Sequence, residues 1–393
     1  MCFDATGQIQ TGFVAPQDTD NEIDINLNNH FFAINPSVPS KNVLVVFFPG
    51  TGGVPFVYRE IIRNAAELGF HSIGLNYPND EAVNFLCRQG TLDCHADVRL
   101  EIIDGTDRGS LVDVSRANSI ENRLIKLLQY LNTERPSEDW GQFLDTGETA
   151  WTKIVVAGHS QGGGHAGILG RFRPVRRALM FAANDFSGAL GMPANWISMP
   201  ETTPNASTPD KFRAFSHTND ELVNFETAST ISWPLFGIDR FGRLVNADDA
   251  TGVLVESNSY TSTRECGNHH GCVAVDQRLV YEDGVPVYKP VWDALLENAE
   301  SEVFISDVKF LRKAEVTTRP YAGQTAKRYT LQINGGGFTI GSVVRLGTVG
   351  CVVVSSSESQ IVVALPAGKV GTERSRRIRV TNPDGSKSNL IYY

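Results

Sequence analysis

The chain has 393 residues, of which 41% are hydrophobic and 20% charged, so it can bury a sizeable core and is not a wholly disordered protein. Its 44 acidic residues outnumber 35 basic ones and give a net charge of -9, which argues against nucleic acid as a partner. No run of about 18 apolar residues exists, so no membrane-spanning helix is predicted.

The first part of the chain alternates between strand-like and helix-like patterns. After about forty residues of irregular structure and short antiparallel strands, residues 43–48 form a continuous apolar run, typical of a strand covered on both faces. A helical pattern over 56–68 and a second strand over 70–77 follow. Together they predict a right-handed parallel strand–helix–strand unit. Residues 81–117 show no clear period.

The alternation continues downstream. Leucines and isoleucines at helical spacing, behind Ser119 as a cap, predict a helix that begins near residue 120. A further helix is expected after residue 160 and another over 290–298. Strands are expected over 153–157, 178–183, 212–216 and 252–256. The pattern as a whole predicts an α/β domain with a mostly parallel sheet.

From about residue 315 the helical periodicity vanishes and short β-rich stretches separated by turn residues take over. Strands are expected over 329–333, 343–346, 351–355, 361–364 and 378–381. This spacing predicts a small all-β sandwich. We therefore expect two domains, an α/β domain over 1–312 and a sandwich over 315–393.

Two pairs of cysteines are close enough in sequence to form small disulfide loops. Cys87 and Cys94 are seven residues apart, and Cys266 and Cys272 are six apart. Either pair could instead be two reduced thiols, but disulfides in an oxidising compartment are the favoured interpretation. Residues 1–30 contain no apolar segment typical of a signal peptide.

The strongest chemical signal is Gly158-His159-Ser160-Gln161-Gly162, a G-x-S-x-G pattern between a predicted strand and a predicted helix. A serine on such a tight, strained turn projects above the sheet, and flanking glycines avoid crowding. The pattern predicts that Ser160 is a nucleophile. The amide of Gln161, at a helix N-terminus, would stabilise an oxyanion.

A second oxyanion donor is expected from the loop after the first buried strand, Pro49-Gly50-Thr51-Gly52-Gly53. Glycines there allow the backbone to approach a ligand closely. We expect the amide of Thr51, or else that of Gly52, to be the donor. A phosphate-binding loop is excluded because the Gly-Lys-Ser/Thr ending is missing.

A nucleophilic serine needs a base, and the base needs an orienting acid further along the chain. Asp220, after the strand 212–216, is the favoured acid, and Asp185 is the alternative. His270 is favoured as the base over its neighbour His269, because Gly271 eases a tight loop. His159 is expected to shape the site.

The histidine pair lies between Cys266 and Cys272, so a disulfide there could hold the imidazole in place. A zinc site made of these two cysteines and two histidines is the competing interpretation. Its ligands would be too close in sequence for easy tetrahedral coordination.

The order of strand, glycine-rich loop, helix, strand, Gly-His-Ser-Gln-Gly turn, late Asp and late His resembles the α/β-hydrolase superfamily over about residues 40–310. The turn is similar to that of serine esterases, lipases and polyester hydrolases. The resemblance implies a Ser160–Asp220–His270 triad, oxyanion donors at Thr51 and Gln161, and no metal or cofactor. The stretch 81–150 is longer than in compact cutinase-type enzymes.

The C-terminal region resembles the IPT/TIG immunoglobulin-like module, through Gly335-Gly336-Gly337-Phe338 and Thr381-Asn382-Pro383-Asp384-Gly385 among other segments. Such modules are often attached to secreted or surface proteins. The resemblance therefore implies a secreted, periplasmic or cell-surface location.

These observations predict a carboxylic-ester hydrolase that works through an acyl-enzyme on a small-molecule or polymeric ester. Trp196 and Trp233 lie in loops that often line an acyl or aromatic pocket, and together with Gly50, Gly52 and His159 they are candidate substrate-binding residues. Burial under a loop is an equally good explanation of the tryptophans. Two alternatives stay open: a non-catalytic adhesion protein on a hydrolase scaffold, and an acyltransferase or peptidase with the same triad.

Overall fold

The computed structural model describes residues 9–199, 205–249, 257–297, 303–311, 330–347, 349–365, 377–388 and 391–392. The chain divides into two compact units. The first comprises Met1–Phe236 and Leu244–Asn298, and the second comprises Gly237–Arg243 and Ala299–Tyr393.

A nine-stranded sheet forms the centre of the first unit. Its strands in chain order are β1 Gln10–Val14, β2 His30–Ile34, β3 Leu44–Phe48, β4 His71–Gly74, β5 Ile154–His159, β6 Arg177–Phe181, β7 Phe212–His217, β8 Val245–Asn246 and β9 Ser259–Ser262. Their spatial order is β1-β2-β4-β3-β5-β6-β7-β9-β8. Strand β2 pairs antiparallel with both β1 and β4. All neighbouring pairs that follow β4 in the spatial order are parallel.

The continuous apolar runs in the sequence are explained by the position of these strands. Every residue of β3, β5, β6 and β7 is buried. Strands covered on both faces do not alternate apolar and polar residues. The strand order, with β3 and β4 exchanged and a serine turn directly after β5, is that of the α/β-hydrolase fold. This confirms the fold class that the sequence predicts.

The helices of the first unit are α1 Pro16–Thr19, α2 Arg59–Glu67, α3 Val83–Leu86, α4 Cys94–Asp104, α5 Ile120–Glu134, α6 Gln161–Phe172, α7 Phe225–Thr227, α8 Trp233–Phe236 and α9 Lys289–Glu297. Ser119 caps α5 as expected, since its side chain accepts a hydrogen bond from the amide of Asn122. The region 81–117, which shows no clear period in the sequence, contains α3 and α4. The strand expected over 252–256 lies outside the described residues.

The second unit contains two four-stranded antiparallel sheets. Its strands are β10 Phe304–Leu311, β11 Thr330–Gly336, β12 Val343–Leu346, β13 Val349–Gly350, β14 Val352–Ser356, β15 Gln360–Ala364, β16 Arg377–Thr381 and β17 Ile391–Tyr392. The sheet orders are β10-β11-β15-β14 and β13-β12-β16-β17. Strand β10 precedes the boundary expected at 312–315 and pairs with β11 along its length.

The two sheets of this unit share one apolar core. Buried side chains alternate along the strands and include Ile305, Leu331, Ile333, Val344, Ile361, Val363, Ile378 and Val380. Such alternation places one face of each sheet inward, as in an immunoglobulin-like sandwich.

Candidate active site

The turn between β5 and α6 places Ser160 at the N-terminus of a helix. The backbone of Ser160 has φ 55° and ψ -118°, a conformation that a non-glycine residue rarely adopts. The surrounding structure holds it there, because its amide donates to the carbonyl of Phe181 at 2.8 Å and its carbonyl accepts from the amide of Gly164 at 3.1 Å. The strained turn expected from the sequence is present.

The glycines of this turn are required by close contacts. A Cβ at Gly162 would lie 2.0 Å from the carbonyl oxygen of Phe48, and a Cβ at Gly158 would lie 2.3 Å from the carbonyl of Gly162. A Cβ at Gly164 would lie 2.1 Å from the guanidinium of Arg99. Side chains at Gly158 or Gly162 would therefore push α6 away from the sheet, and a side chain at Gly164 would displace the Arg99 guanidinium.

The structure brings Asp220 and His270 together. Nδ1 of His270 lies 2.9 Å from each carboxylate oxygen of Asp220. The Asp220 side chain is fully buried, and its Oδ1 also accepts from the amides of Leu222 at 2.9 Å and Val223 at 2.8 Å. An anion held in this way fixes the orientation of the imidazole through Nδ1, which is the arrangement that serine catalysis requires of its histidine.

The alternative acid, Asp185, is already paired. Its carboxylate receives two hydrogen bonds of 2.6 Å from Arg99, and the indole N–H of Trp196 donates to it at 3.0 Å. Burial raises the pKa of Asp185, but the Arg99 charge outweighs this and lowers it to about 2. Arg99 also donates to the carbonyl of Gln161 at 2.8 Å, so this pair supports the start of α6.

The alternative base, His269, faces two carboxylates at the surface. Its Nδ1 lies 2.8 Å from Glu221 and its Nε2 lies 3.3 Å from Glu265. Burial lowers the pKa of His269, but these hydrogen bonds outweigh it and the net shift is upward. Both ring nitrogens of His269 are thus engaged by carboxylates, which makes His269 the poorer candidate for a general base.

Glu221 is a functional candidate that sequence reasoning missed. Its carboxylate accepts the amide of His269 at 2.9 Å and the amide of His270 at 2.8 Å. Burial acts to raise the pKa of Glu221, but these hydrogen bonds lower it to about 2. The consecutive residues Asp220 and Glu221 thus hold the side chain and the backbone of His270.

His159 holds the same residue from the other side. Its Nε2–H donates to the carbonyl of His270 at 2.8 Å, and its Nδ1 accepts from the hydroxyl of Tyr58 at 3.0 Å. The amide of Gly50 donates to the same hydroxyl at 3.1 Å. Burial, assisted by the nearby His270, lowers the pKa of His159 to about 3, so the ring is neutral at ordinary pH. The chain of bonds links the glycine-rich loop to His270.

The cysteines form the two local disulfides that the sequence predicts, Cys87–Cys94 and Cys266–Cys272. His217, Cys266 and His269 offer donor atoms within 4.8 Å of one another, which bears on the zinc interpretation. The donor set does not fit a metal. The sulfur of Cys266 is in a disulfide, and His217 uses both ring nitrogens, on the carbonyl of Arg264 and the amide of Asn219.

In the glycine-rich loop after β3, the backbone amides differ in whether they have a hydrogen-bond acceptor among the described residues. The amides of Gly50, Gly52 and Gly53 donate to Tyr58, Asn79 and Gly50 respectively. Within the described part of the chain, the amide of Thr51 has no hydrogen-bond acceptor. The hydroxyl of Thr51 donates to Oε1 of Gln161 at 2.8 Å, which ties the two expected oxyanion donors together.

A cavity of about 500 Å³ opens at this edge of the sheet. Ser160, His270, Gly50, Thr51, Gln161 and His159 all line it. Gly52, Trp196 and Trp233 are not among its lining residues, so the expectation that the tryptophans line the pocket is not met. Trp196 is buried against Asp185, and Trp233 is buried with its ring against Phe225.

Comparisons with known proteins bear on both units. Residues 316–393 match the family model of the IPT/TIG domain, so the C-terminal module is of the type that the sequence predicts. None of the curated proteins compared with the chain matches it. No helix within the described ranges is both long and apolar enough to cross a membrane.

Two solved structures are similar to a large part of this chain. One is a putative dienelactone hydrolase from Klebsiella pneumoniae, with 13% identity and a TM-score of 0.36, covering 73% of this chain and 97% of that one. The other is the esterase rPPE, with 12% identity and a TM-score of 0.37, covering 74% of this chain and 83% of that one. At these TM-scores neither likeness assigns an activity, and the fold assignment comes from the strand order.

Proposed function

We propose that the protein is a serine hydrolase that cleaves carboxylic esters through an acyl-enzyme. The observation that carries this proposal is the pairing of Asp220 with Nδ1 of His270, in a cavity that Ser160 lines from a strained turn. Acid, base and hydroxyl are the three parts that serine catalysis needs. The hydroxyl and the base line one cavity, with the buried acid bonded to the base, and this disfavours a binding protein without chemistry.

The reaction begins when Oγ of Ser160 attacks the ester carbonyl carbon while Nε2 of His270 takes the hydroxyl proton. Asp220 holds the imidazole and stabilises its cation. The amides of Thr51 and Gln161 stabilise the oxyanion, and the amide of Thr51 has no hydrogen-bond acceptor among the described residues. His270 returns the proton to the leaving alcohol. A water molecule, deprotonated by His270, then releases the acid from Ser160.

The test is hydrolysis of 4-nitrophenyl butyrate by the wild type and by Ser160→Ala. The wild type should release 4-nitrophenolate, and the variant should lose all but a trace of activity with an unchanged far-ultraviolet circular dichroism spectrum. A correctly folded Ser160→Ala variant with wild-type turnover would reject the proposal.

The setting of this activity is proposed to be outside the cytoplasm. Both local cysteine pairs form disulfides, which persist in oxidising compartments. The C-terminal IPT/TIG domain supports the same location. Secretion into the medium or the periplasm, or attachment to the cell surface, would each satisfy these observations.

A further inference from the structure

One wall of the catalytic cavity consists of α3 and the residues just after it. Val83, Asn84, Phe85 and Arg88 all line the cavity. Several bonds fix this wall to the rest of the site. The amide of Val83 donates to Oε1 of Gln161 at 3.2 Å. Asn84 donates to the carbonyl of Asn184 and accepts from His95, and the Cys87–Cys94 disulfide closes the segment. The wall therefore presents its side chains in a defined place.

The guanidinium of Arg88 is stacked on an aromatic ring at this wall. Its central carbon lies 4.3 Å from the centroid of the Phe85 ring, and 59% of Phe85 is exposed. Stacking occupies the face of a guanidinium and leaves the N–H groups at its edge available, in a geometry that matches a carboxylate. Arg88 has no carboxylate partner within the ranges that the structure describes.

The other ionisable groups in the described lining of the cavity are either paired with a charged partner or held neutral by burial. Arg99 is neutralised by Asp185, to which it is bonded twice. Burial lowers the pKa of His159 to about 3 and raises that of Tyr58 to about 12, so both rings are neutral. His270 is paired with Asp220, so among the described residues of the lining Arg88 is the charged side chain without a charged partner.

We propose that the substrate is an ester that also carries a carboxylate, and that Arg88 binds this carboxylate. The inference rests on the proposed esterase function. A cavity of about 500 Å³ is about 10 Å across if taken as a sphere, so the carboxylate and the scissile carbonyl are separated by a short aliphatic chain or one aromatic ring. The exposed Phe85 ring provides an apolar surface for that spacer.

The experiment compares two matched pairs of esters. Mono-(4-nitrophenyl) glutarate and 4-nitrophenyl pentanoate differ by a carboxylate on the acyl side. The salt of 4-acetoxybenzoic acid carries a carboxylate on the alcohol side of the ester, and methyl 4-acetoxybenzoate carries a neutral methyl ester in its place. For each pair we measure the ratio of kcat/KM for the anionic ester to that for the neutral ester, in the wild type, Arg88→Gln, Arg88→Lys and Arg116→Gln.

Arg88→Gln should lower this ratio by about tenfold for the pair whose carboxylate reaches Arg88, since a charge-assisted bidentate contact is lost. The ratio for Arg88→Lys should fall between those of the wild type and Arg88→Gln, because lysine keeps the positive charge but cannot bind a carboxylate through two parallel N–H groups. Arg116 is half-exposed, pairs with Glu121 and does not line the cavity, so Arg116→Gln should leave the ratio unchanged. Raising the salt from about 50 to about 500 mM should reduce the wild-type ratio by screening.

The possible failures are distinguishable. If the wild type hydrolyses none of the four esters, the proposed function is refuted. If it hydrolyses esters but Arg88→Gln leaves both ratios within twofold of the wild type, the role of Arg88 is refuted. An equal loss on anionic and neutral esters would also refute it, because Arg88 would then be a structural residue.

Discussion

Matched substitutions of Asp185 and Asp220 separate a structural acid from a catalytic one. Asp185 and Arg99 have side chains that are 1% and 2% exposed, joined by two bonds of 2.6 Å. In Asp185→Asn the Arg99 charge stays buried beside a neutral amide. Breaking one side of a buried ion pair costs about 3–5 kcal/mol. At about 2–4 °C per kcal/mol for a unit somewhat smaller than this one, the melting temperature should fall by the order of 10 °C.

Turnover should respond in the opposite order, with a small loss of kcat in Asp185→Asn and a large loss in Asp220→Asn. Asp185→Asn should keep kcat within about tenfold of the wild type at 25 °C. Asp185 and Arg99 line the cavity, but the bond from Arg99 to the serine turn goes to the carbonyl of Gln161 and not to its amide. Asp220→Asn presents an amide N–H to Nδ1 of His270 or selects the wrong tautomer, and should lower kcat by about 10⁴. Thermal unfolding and 4-nitrophenyl butyrate turnover measure the two effects. A catalytically dead Asp185→Asn with an unchanged melting temperature, beside an active Asp220→Asn, would refute this assignment.

Two further predictions concern how His270 is held and how the fold responds to acid. Glu221→Gln retains only one good acceptor for the backbone amides of His269 and His270, so kcat should fall by about tenfold while KM changes little. A wild-type kcat in steady-state kinetics would contradict the role of Glu221 in holding the backbone of His270. The pKa values of the buried His159 and His165 lie below the ordinary 6.5, so the unfolded chain takes up their protons first and stability is lost as the pH falls below about 6.5. Each of these two histidines lowers the free energy of unfolding by up to about 1.4 kcal/mol per pH unit of acidification. His269 acts in the opposite direction, because its pKa is raised in the folded protein. Melting temperatures at pH 7.5 and 5.5 should therefore differ, less so in His165→Leu, and a flat profile in the wild type would count against the burial argument.

The sheet and the serine turn could be predicted because their signals are local. A strand such as β3, covered on both faces, is continuously apolar, and a turn that admits no Cβ at Gly158 or Gly162 needs glycine. The same is true of both disulfides, whose cysteines are only six or seven residues apart. Tertiary structure is not needed to see these constraints.

Helix α4 was missed because charged residues interrupt its apolar pattern. Arg99 and Glu101 are both buried in this helix, and each has hydrogen-bond partners outside it. Arg99 donates to Asp185, and Glu101 accepts from the backbone amides of Arg108 and Val114. Buried charges are rare, so a pattern that contains two of them reads as solvent-exposed. The pairing of Arg99 with Asp185 spans 86 residues and is invisible to any local window.

The candidate site was only partly predictable for the same reason. The order of Ser160, Asp220 and His270 follows from chain position, but the choice between Asp220 and Asp185 depends on which carboxylate a distant arginine occupies. Glu221 carries no motif, and its role is seen only when its oxygens meet two amides 48 and 49 residues away. The C-terminal unit extends to β10 because that strand pairs with β11, a contact that composition does not encode.

The most direct measurement of the central claim is active-site labelling with a fluorophosphonate, followed by peptide mass spectrometry. We expect stoichiometric modification at Ser160, abolished in Ser160→Ala and strongly slowed in Asp220→Asn. A folded wild type that takes up no label, or takes it up at another residue, would contradict the account.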